Sequence, residues 1–309
     1  AERREVPVKG VPRPETKHTA GYYLEPGMDA VDLFVGSEGT LGIVTEAELA
    51  LAEKPPERLF VTFFIRGDED MVRLVKDFRE SGVPGPLALE YLGPRAAALL
   101  RDEPAHAGCL PEGLRAGLYA EFPFSGEEEL DRIYDTCSDI LRSAGLNPAD
   151  SWAGFGRREM DQMKDLRHAV PEAINARIGQ IRRDHPEVHK VGTDMAVPVE
   201  NLGQMMDYYR AGVDREGLRH AVFGHAGDGH LHVNILPESA DQMERSERLY
   251  EEFARRAVEL GGSVAAEHGI GRIKKPFMRI QYSDENLDAM RRVRDALDPS
   301  GALNPGVML

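Results

Sequence analysis

RLFVTFFIRGDEDMVRLVKDFRES, residues 58–81, sets the fold. Its first part, RLFVTFFI (58–65), is aromatic and β-branched, the composition of a buried strand. Its second part, residues 68–81, spaces Met71, Leu74, Val75 and Phe78 three and four apart, which places them on one face of a helix. Strand-like runs follow near 86–91 and 116–122. A helix over about 126–144 turns Leu130, Ile133, Tyr134, Cys137 and Leu141 inward, and a short strand lies near 148–153. Strand, helix, strand, strand, helix, strand is the ferredoxin-like order.

The same order recurs from residue 190. A strand at 190–197 leads to a helix with Leu202, Met205, Met206 and Tyr209 on one face. Strands at 219–224 and 230–236, a helix at 240–260 and a strand at 262–265 complete it. The helical face there carries Met243, Leu249, Phe253, Ala257 and Leu260. The expected fold is therefore α+β, with two βαββαβ halves sharing an antiparallel sheet. A helix over 156–182 joins them, with Pro171 as a kink or break. Upstream, Lys54-Pro55-Pro56 reads as a linker. DLFVGSEGTLGIVTEAEL (32–49) precedes it as an apolar turn, a Gly-rich loop and a strand-like run. A helix at 284–297 and the tail DPSGALNPGVML end the chain.

The chain has 309 residues, 41% hydrophobic and 29% charged, enough for a large core and more than one subdomain. A net charge of −15 argues against a nucleic-acid surface. No apolar run approaches the roughly 20 residues of a membrane span, and residues 1–10 lack the apolar core of a signal peptide. Cys109 and Cys137 read as free thiols of a reducing compartment, and two thiolates alone do not hold an iron–sulfur cluster.

The chemistry concentrates in GHAGDGHLHVN (224–234), with three histidines, one aspartate and three glycines in eleven residues. His230 and His232 are two apart on a strand, so they share a face. His225 precedes a Gly-Asp-Gly turn that folds back toward them. AEHGIGR (266–272) adds Glu267 and His268. Imidazole with carboxylate suits Zn²⁺, Mn²⁺ or Fe²⁺, and three protein ligands with an open position mark a catalytic metal. The bland reading is that these histidines satisfy loop backbone. Arg167 and His168 lie on a helix whose plain reading is a solvated face. The loop Gly36–Gly42 could cradle a phosphate or be a hairpin turn. It is neither a Walker A motif nor GxGxxG, so nicotinamide binding has no support.

DLFVGSEGTLGIVTEAEL, GHAGDGHLHVN, AEHGIGR and DPSGALNPG occur in this order in one family. Through them the chain, from KHTAGYYL (17–24) to its tail, resembles the FAD-linked D-2-hydroxyacid dehydrogenases. These are the D-lactate, D-2-hydroxyglutarate and glycolate dehydrogenase group of the vanillyl-alcohol-oxidase superfamily. The resemblance implies that residues 1–53 end an FAD-binding α+β domain, with Ser37, Glu38, Gly39, Gly42 and Ile43 against the flavin. It makes residues 54–280 the cap, or substrate, domain. Residues 281–309 return to the FAD domain, with Asn304 near the isoalloxazine. By position, His225, His232 and Glu267 become metal ligands, with Zn²⁺ ahead of Mn²⁺ or Fe²⁺. His268 becomes the general base, Arg167 the carboxylate clamp, and Asn234 and Lys190 substrate contacts. Lys190 stands four residues before Asp194, where some relatives have two. His230 replaces a usual Asn and is expected to meet flavin or substrate, or to be an extra ligand.

The family's Gly-rich pyrophosphate loop and Asn-Ala-Gly stretch do not occur in this sequence. The expectation is a portion of an enzyme whose remaining FAD domain lies on a missing segment or a separate chain, and weak FAD binding by this chain alone. The implied reaction is oxidation of a small D-2-hydroxy acid. Electrons pass to a quinone or an acceptor protein, in the cytoplasm or at the inner membrane through a partner, with a homodimer among the allowed assemblies. Competing readings are a non-redox flavin enzyme resembling alkyl-dihydroxyacetone-phosphate synthase, a metal-dependent hydrolase, and a non-catalytic subunit of a split flavoprotein.

Overall fold

The aromatic run after the linker forms β1 (Glu57–Ile65), a nine-residue strand buried along most of its length. The other strands are β2 (Ala88–Leu92), β3 (Ala116–Phe124), β4 (Ser151–Gly154), β5 (Val191–Gly192), β6 (His220–His225) and β7 (His230–Ile235). They make one seven-stranded antiparallel sheet in the order β4-β1-β3-β2-β6-β7-β5. The computed structural model describes residues 9–53, 57–82, 85–103 and 110–309. The Lys54-Pro55-Pro56 linker and Cys109 lie outside the described residues.

In chain order the helices are α1 (Ala30–Phe34), α2 (Asp68–Glu80), α3 (Pro94–Asp102), α4 (Glu127–Ser143), α5 (Arg157–Ile181), α6 (Leu202–Arg215), α7 (Ala240–Glu259), α8 (Met278–Gln281) and α9 (Asp284–Leu297). The chain divides into two compact units. The first comprises Ala1–Ala52, Asp194–Pro198 and Glu251–Leu309, and the second Glu53–Thr193 and Val199–Tyr250. The whole sheet belongs to the second unit, in which a four-stranded ferredoxin-like half, β4-β1-β3-β2, is joined edge to edge to a three-stranded half, β6-β7-β5.

In that unit α3 and α5 cover one face of the sheet. Their core joins Leu92, Ala97, Leu100, Leu166, Val170 and Ala221. The other face carries the aromatic layer, where Phe63 stacks on Phe78 of α2 at 5.4 Å and Phe122 sits 5.8 Å from Phe78. Met71, Leu74, Val75 and Phe78 are all essentially buried, as the helical spacing predicts. Burial of side chains of this size stabilises by about 1.5–3 kcal/mol each.

Several local expectations change. Residues 94–102 form α3, with Pro94 in the first turn, where a missing N–H costs nothing. Tyr134 is 39% exposed rather than inward. The row Ile133, Cys137, Leu141 fills the buried stripe of α4, and Tyr134 flanks it against Phe155 at 6.4 Å. Pro171 does not break α5, which runs 25 residues through it. The run 41–49 has no regular structure; the apolar turn expected at the start of 32–49 lies in α1, capped by Asp29 in a reciprocal capping box with Asp32. The strands expected at 190–197 and 262–265 shrink to β5 and one bridge, Ala196 with Ser263. Beside that bridge the Asp194 carbonyl accepts from Ala266 N–H, and its carboxylate accepts from the N–H groups of Glu267 and His268. Among the described residues no helix is long and apolar enough to cross a membrane.

The first unit holds His18 of the KHTAGYYL segment in a polar clasp. Its Nδ1 lies 2.6 Å from Ser263 Oγ and its Nε2 2.7 Å from Tyr282 Oη. Burial, helped by nearby Arg13, lowers its pKa from 6.5 to about 4. The unfolded chain therefore takes up this proton near pH 6.5, while the folded chain resists until about pH 4. Stability from this site is complete above pH 6.5 and falls across that window by about 3 kcal/mol. Thermal denaturation at pH 7, 5.5 and 4 should show the decline, and His18→Gln should flatten it relative to wild type.

Candidate metal and substrate site

The histidine motif is the β6–β7 hairpin. His225 ends β6, a 3₁₀ turn spans Ala226–Asp228, and Gly229 takes the left-handed conformation at φ 64° before His230 opens β7. In register, His225 faces His230 and Phe223 faces His232, so all four side chains lie on one sheet face. The ring centroids are 5.4 Å (His225–His230), 5.8 Å (His225–His232) and 4.5 Å (His230–His232) apart. Each ring offers a nitrogen within 4.8 Å of the others. His230 is fully buried, beneath the partly exposed His225 and His232. Gly224 makes this possible: its φ is +128°, and a Cβ there would lie 2.9 Å from His232 Cδ2. Only glycine tolerates that backbone at low cost.

Second partners orient the two outer rings. His225 Nδ1 lies 2.7 Å from Glu90 Oε1 on β2, and His232 Nδ1 lies 3.0 Å from the Thr193 carbonyl. Both acceptors require an Nδ1–H, which assigns the lone pair of each ring to Nε2. This is the arrangement that metal-binding histidines use to fix tautomer and raise basicity, so the donor set fits a divalent ion.

Glu90 also accepts from Arg167 Nη2 of α5 at 2.9 Å, and the guanidinium sits 5.9 Å from the Tyr119 ring centre. The Glu90 side chain is only 11% exposed. No motif marks it in the sequence; it is placed by the pairing of Tyr91 with Gly224 and Leu92 with Phe223. Arg167, His168, His225 and His232 all line one cavity of ≈ 310 Å³ beneath α5. Asn234, 5% exposed, follows His232 on the same face but does not line that cavity. Lys190 is exposed on the segment before β5 and is not among its walls either.

The remaining expected residues lie in the first unit. Glu267 pairs with Lys17 Nζ at 2.6 Å and with His268 Nε2 at 3.3 Å. Asp194, 2% exposed, holds their backbone and forms a 2.5 Å ion pair with Lys274. Neither Asp194 nor Lys17 stands out in the sequence, since each is a single charge with no local repeat. Glu38, at φ +52°, turns its carboxylate onto the N–H groups of Ile270 and Gly271, 2.7 Å each. Asn304 donates to the Glu38 carbonyl at 2.7 Å, and Gly39 lies beside Asn304. The Gly-rich loop and the tail are thus tied to AEHGIGR. Ser37 is buried, Gly42 packs beside Phe34, and Ile43 is 81% exposed.

Residues 54–308 match the family model for the C-terminal domain of FAD linked oxidases. The glycolate oxidase subunit GlcD of Bacillus subtilis is 31% identical over 286 residues, covering 91% of this chain and 57% of that protein. A probable mitochondrial D-lactate dehydrogenase of Danio rerio is 27% identical, over 94% of this chain and 57% of its own length. This chain therefore spans a little over half the length of these relatives. Among solved structures, 4-ethylphenol oxidase from Gulosibacter chungangensis shares the fold at a TM-score of 0.56 and 16% identity, covering 93% of this chain and 60% of that one. p-Cresol methylhydroxylase does so at 0.57 and 11%, over 82% and 53%. The fold and the matched domain agree: this chain belongs to the FAD linked oxidases and carries their C-terminal domain over residues 54–308.

Proposed function

We propose that the chain is the substrate side of a flavoprotein that oxidises a D-2-hydroxy acid of the glycolate or D-lactate type to the 2-oxo acid. The observation that carries this is the His225–His232 pair, Nδ1 atoms engaged, beside a cavity that also holds Arg167. The names of the relatives support the substrate type. In the balanced reaction the substrate loses a proton from its hydroxyl oxygen and a hydride from C2. FAD, when bound, accepts the hydride, and a divalent metal, Zn²⁺ ahead of Mn²⁺ or Fe²⁺, lowers the hydroxyl pKa.

The chain's own residues then have defined tasks. His225, His232 and Glu267 are the metal ligands that the resemblance implies. Arg167 binds the substrate carboxylate through its fork of donors. Its pairing with Glu90 leaves part of that fork for the substrate and fixes its direction. His268 is the general base for the hydroxyl proton that the resemblance implies. Asn234 and Lys190 are further substrate contacts. Ser37, Glu38, Gly39, Gly42, Ile43, Asn304 and His230 form the flavin side, and the exposure of Ile43 supports that assignment. Glu38 acts there through its backbone, because its carboxylate clasps residues 270–271. The rest of the flavin site belongs to a further segment or partner chain, with a quinone or acceptor protein receiving the electrons. The cytoplasm, or the inner membrane through a partner, is the proposed location.

Metal analysis of the purified chain tests the centre. The expected content is about one divalent ion per chain, falling to about a tenth or less in the His225→Ala/His232→Ala double variant. A metal-free wild type would sink the proposal for this chain. Glu90→Gln should weaken metal binding about 10–100-fold in competition with a chelating dye, because the residue orients a ligand rather than being one. Unchanged affinity would reduce Glu90 to a partner of Arg167.

A further inference from the structure

Residues 267–271, which include Glu267 and His268, belong to no helix or strand. Their five backbone N–H groups are nonetheless all taken, each by a side-chain oxygen. Asp194 accepts from Glu267 and His268 at 3.2 and 3.1 Å, and Thr19 Oγ1 accepts from Gly269 at 3.2 Å. Glu38 accepts from Ile270 and Gly271 at 2.7 Å each. A segment with no ladder and no helical rungs takes its shape from whatever holds its amides, and here that is three side chains. Gly269 makes room for one of them: its φ is +65°, and a Cβ there would lie 2.7 Å from Glu38 Oε1.

All of these residues lie in the first unit. Of the three anchors, Glu38 is the one that itself belongs to the Gly-rich loop 36–42. Its two bonds are the shortest of the five, and a carboxylate bonded to backbone N–H groups holds about twice as strongly as a neutral acceptor. Glu38 keeps a φ of +52°, which a residue with a Cβ adopts only at a cost. Its carbonyl accepts from Asn304 Nδ2 at 2.7 Å, and Met308 N–H donates to the Gly271 carbonyl at 3.0 Å. Loop 36–42, loop 267–271 and the tail thus meet around one residue. A costly backbone conformation that its surroundings hold in place points to a functional role.

We propose that Glu38 is a positioning residue for the reaction: its carboxylate registers the loop bearing Glu267 and His268 against the loop on the flavin side. The assignment rests on the 2-hydroxy acid reading above and adds a residue to it. In that reaction the hydroxyl proton goes to the base and the hydride leaves C2 for the flavin. Both act on one small molecule, so base and flavin must be placed relative to each other. An error of about 1 Å in such placement costs up to about 100-fold in rate. Glu38 spans the two loops and touches neither the proton nor the hydride.

Glu38→Gln tests this, because it keeps the shape and one acceptor but turns an N–H donor toward a backbone N–H. In the flavin- and metal-loaded protein, D-lactate and glycolate serve as substrates. The rate of flavin reduction per bound flavin should fall about tenfold or more, with KM within about twofold of wild type. A rate within about twofold of wild type, or a raised KM at an unchanged rate, overturns the proposal. The second readout is amide hydrogen exchange in this chain without flavin, resolved by residue, with the amides of α9 as reference. The variant should exchange about tenfold faster at 270–271 and also at 267–268, whose acceptor Asp194 is intact. Acceleration confined to 270–271 overturns the proposal, and so does equal acceleration in α9, which marks a general loss of stability. If neither acid reduces the wild-type flavin, the reaction reading fails, and exchange alone decides whether Glu38 holds the loop of Glu267 and His268. Exchange decides in the same way if the variant binds no flavin.

Discussion

The short contact between β2 and β6 organises the second unit. Two residue pairs, Tyr91 with Gly224 and Leu92 with Phe223, join the halves into one sheet. The Gly93 N–H extends the junction to the Val222 carbonyl, and no side chain fits at residue 93, where a Cβ would lie 2.7 Å from that oxygen. Without the junction, each half would present an unpaired strand edge. With it, Glu90 comes beside His225, and one face of the joined sheet becomes a continuous floor from β7 to β1. The metal-type histidines, the Arg167 ion pair and the cavity all depend on this register.

Patterns contained in a short window were readable in the sequence. The aromatic run of β1, the stripe of α2 and the period-two placement of His230 and His232 are of this kind. The first half also declared its order of elements, apart from α3, and the second did so up to its closing strand. The junction left no trace, because it relates residues near 91 to residues near 223 through backbone hydrogen bonds that almost any side chain permits. Glu90 was hidden for the same reason. As a lone acidic residue in ALEYL it resembles any polar position of a half-buried strand.

Where local reading failed, a competing interaction had won. Residues 190–197 have strand composition, yet they pair in two pieces, Val191–Thr193 with β7 and Ala196 with Ser263, and the Asp194 carboxylate between them gathers two backbone N–H groups and the Lys274 ammonium. Such charge-assisted bonds are stronger than neutral ladder bonds. Tyr134 left the inward face of α4 because its hydroxyl end favours a flank while its ring packs against Phe155. Neither outcome has a signature within a few residues of the site.

The proline in α5 bears on how the cavity is roofed. Pro171 carries no amide hydrogen, so the carbonyl four residues earlier, that of Arg167, has no helical donor. The interruption falls at the turn whose side chains close over the ligand space, since Arg167, His168, Val170 and Pro171 all line it. A helix with one rung missing bends there more readily than elsewhere along its length. The rung missing from the roof is therefore at Arg167, the residue whose guanidinium is held by Glu90.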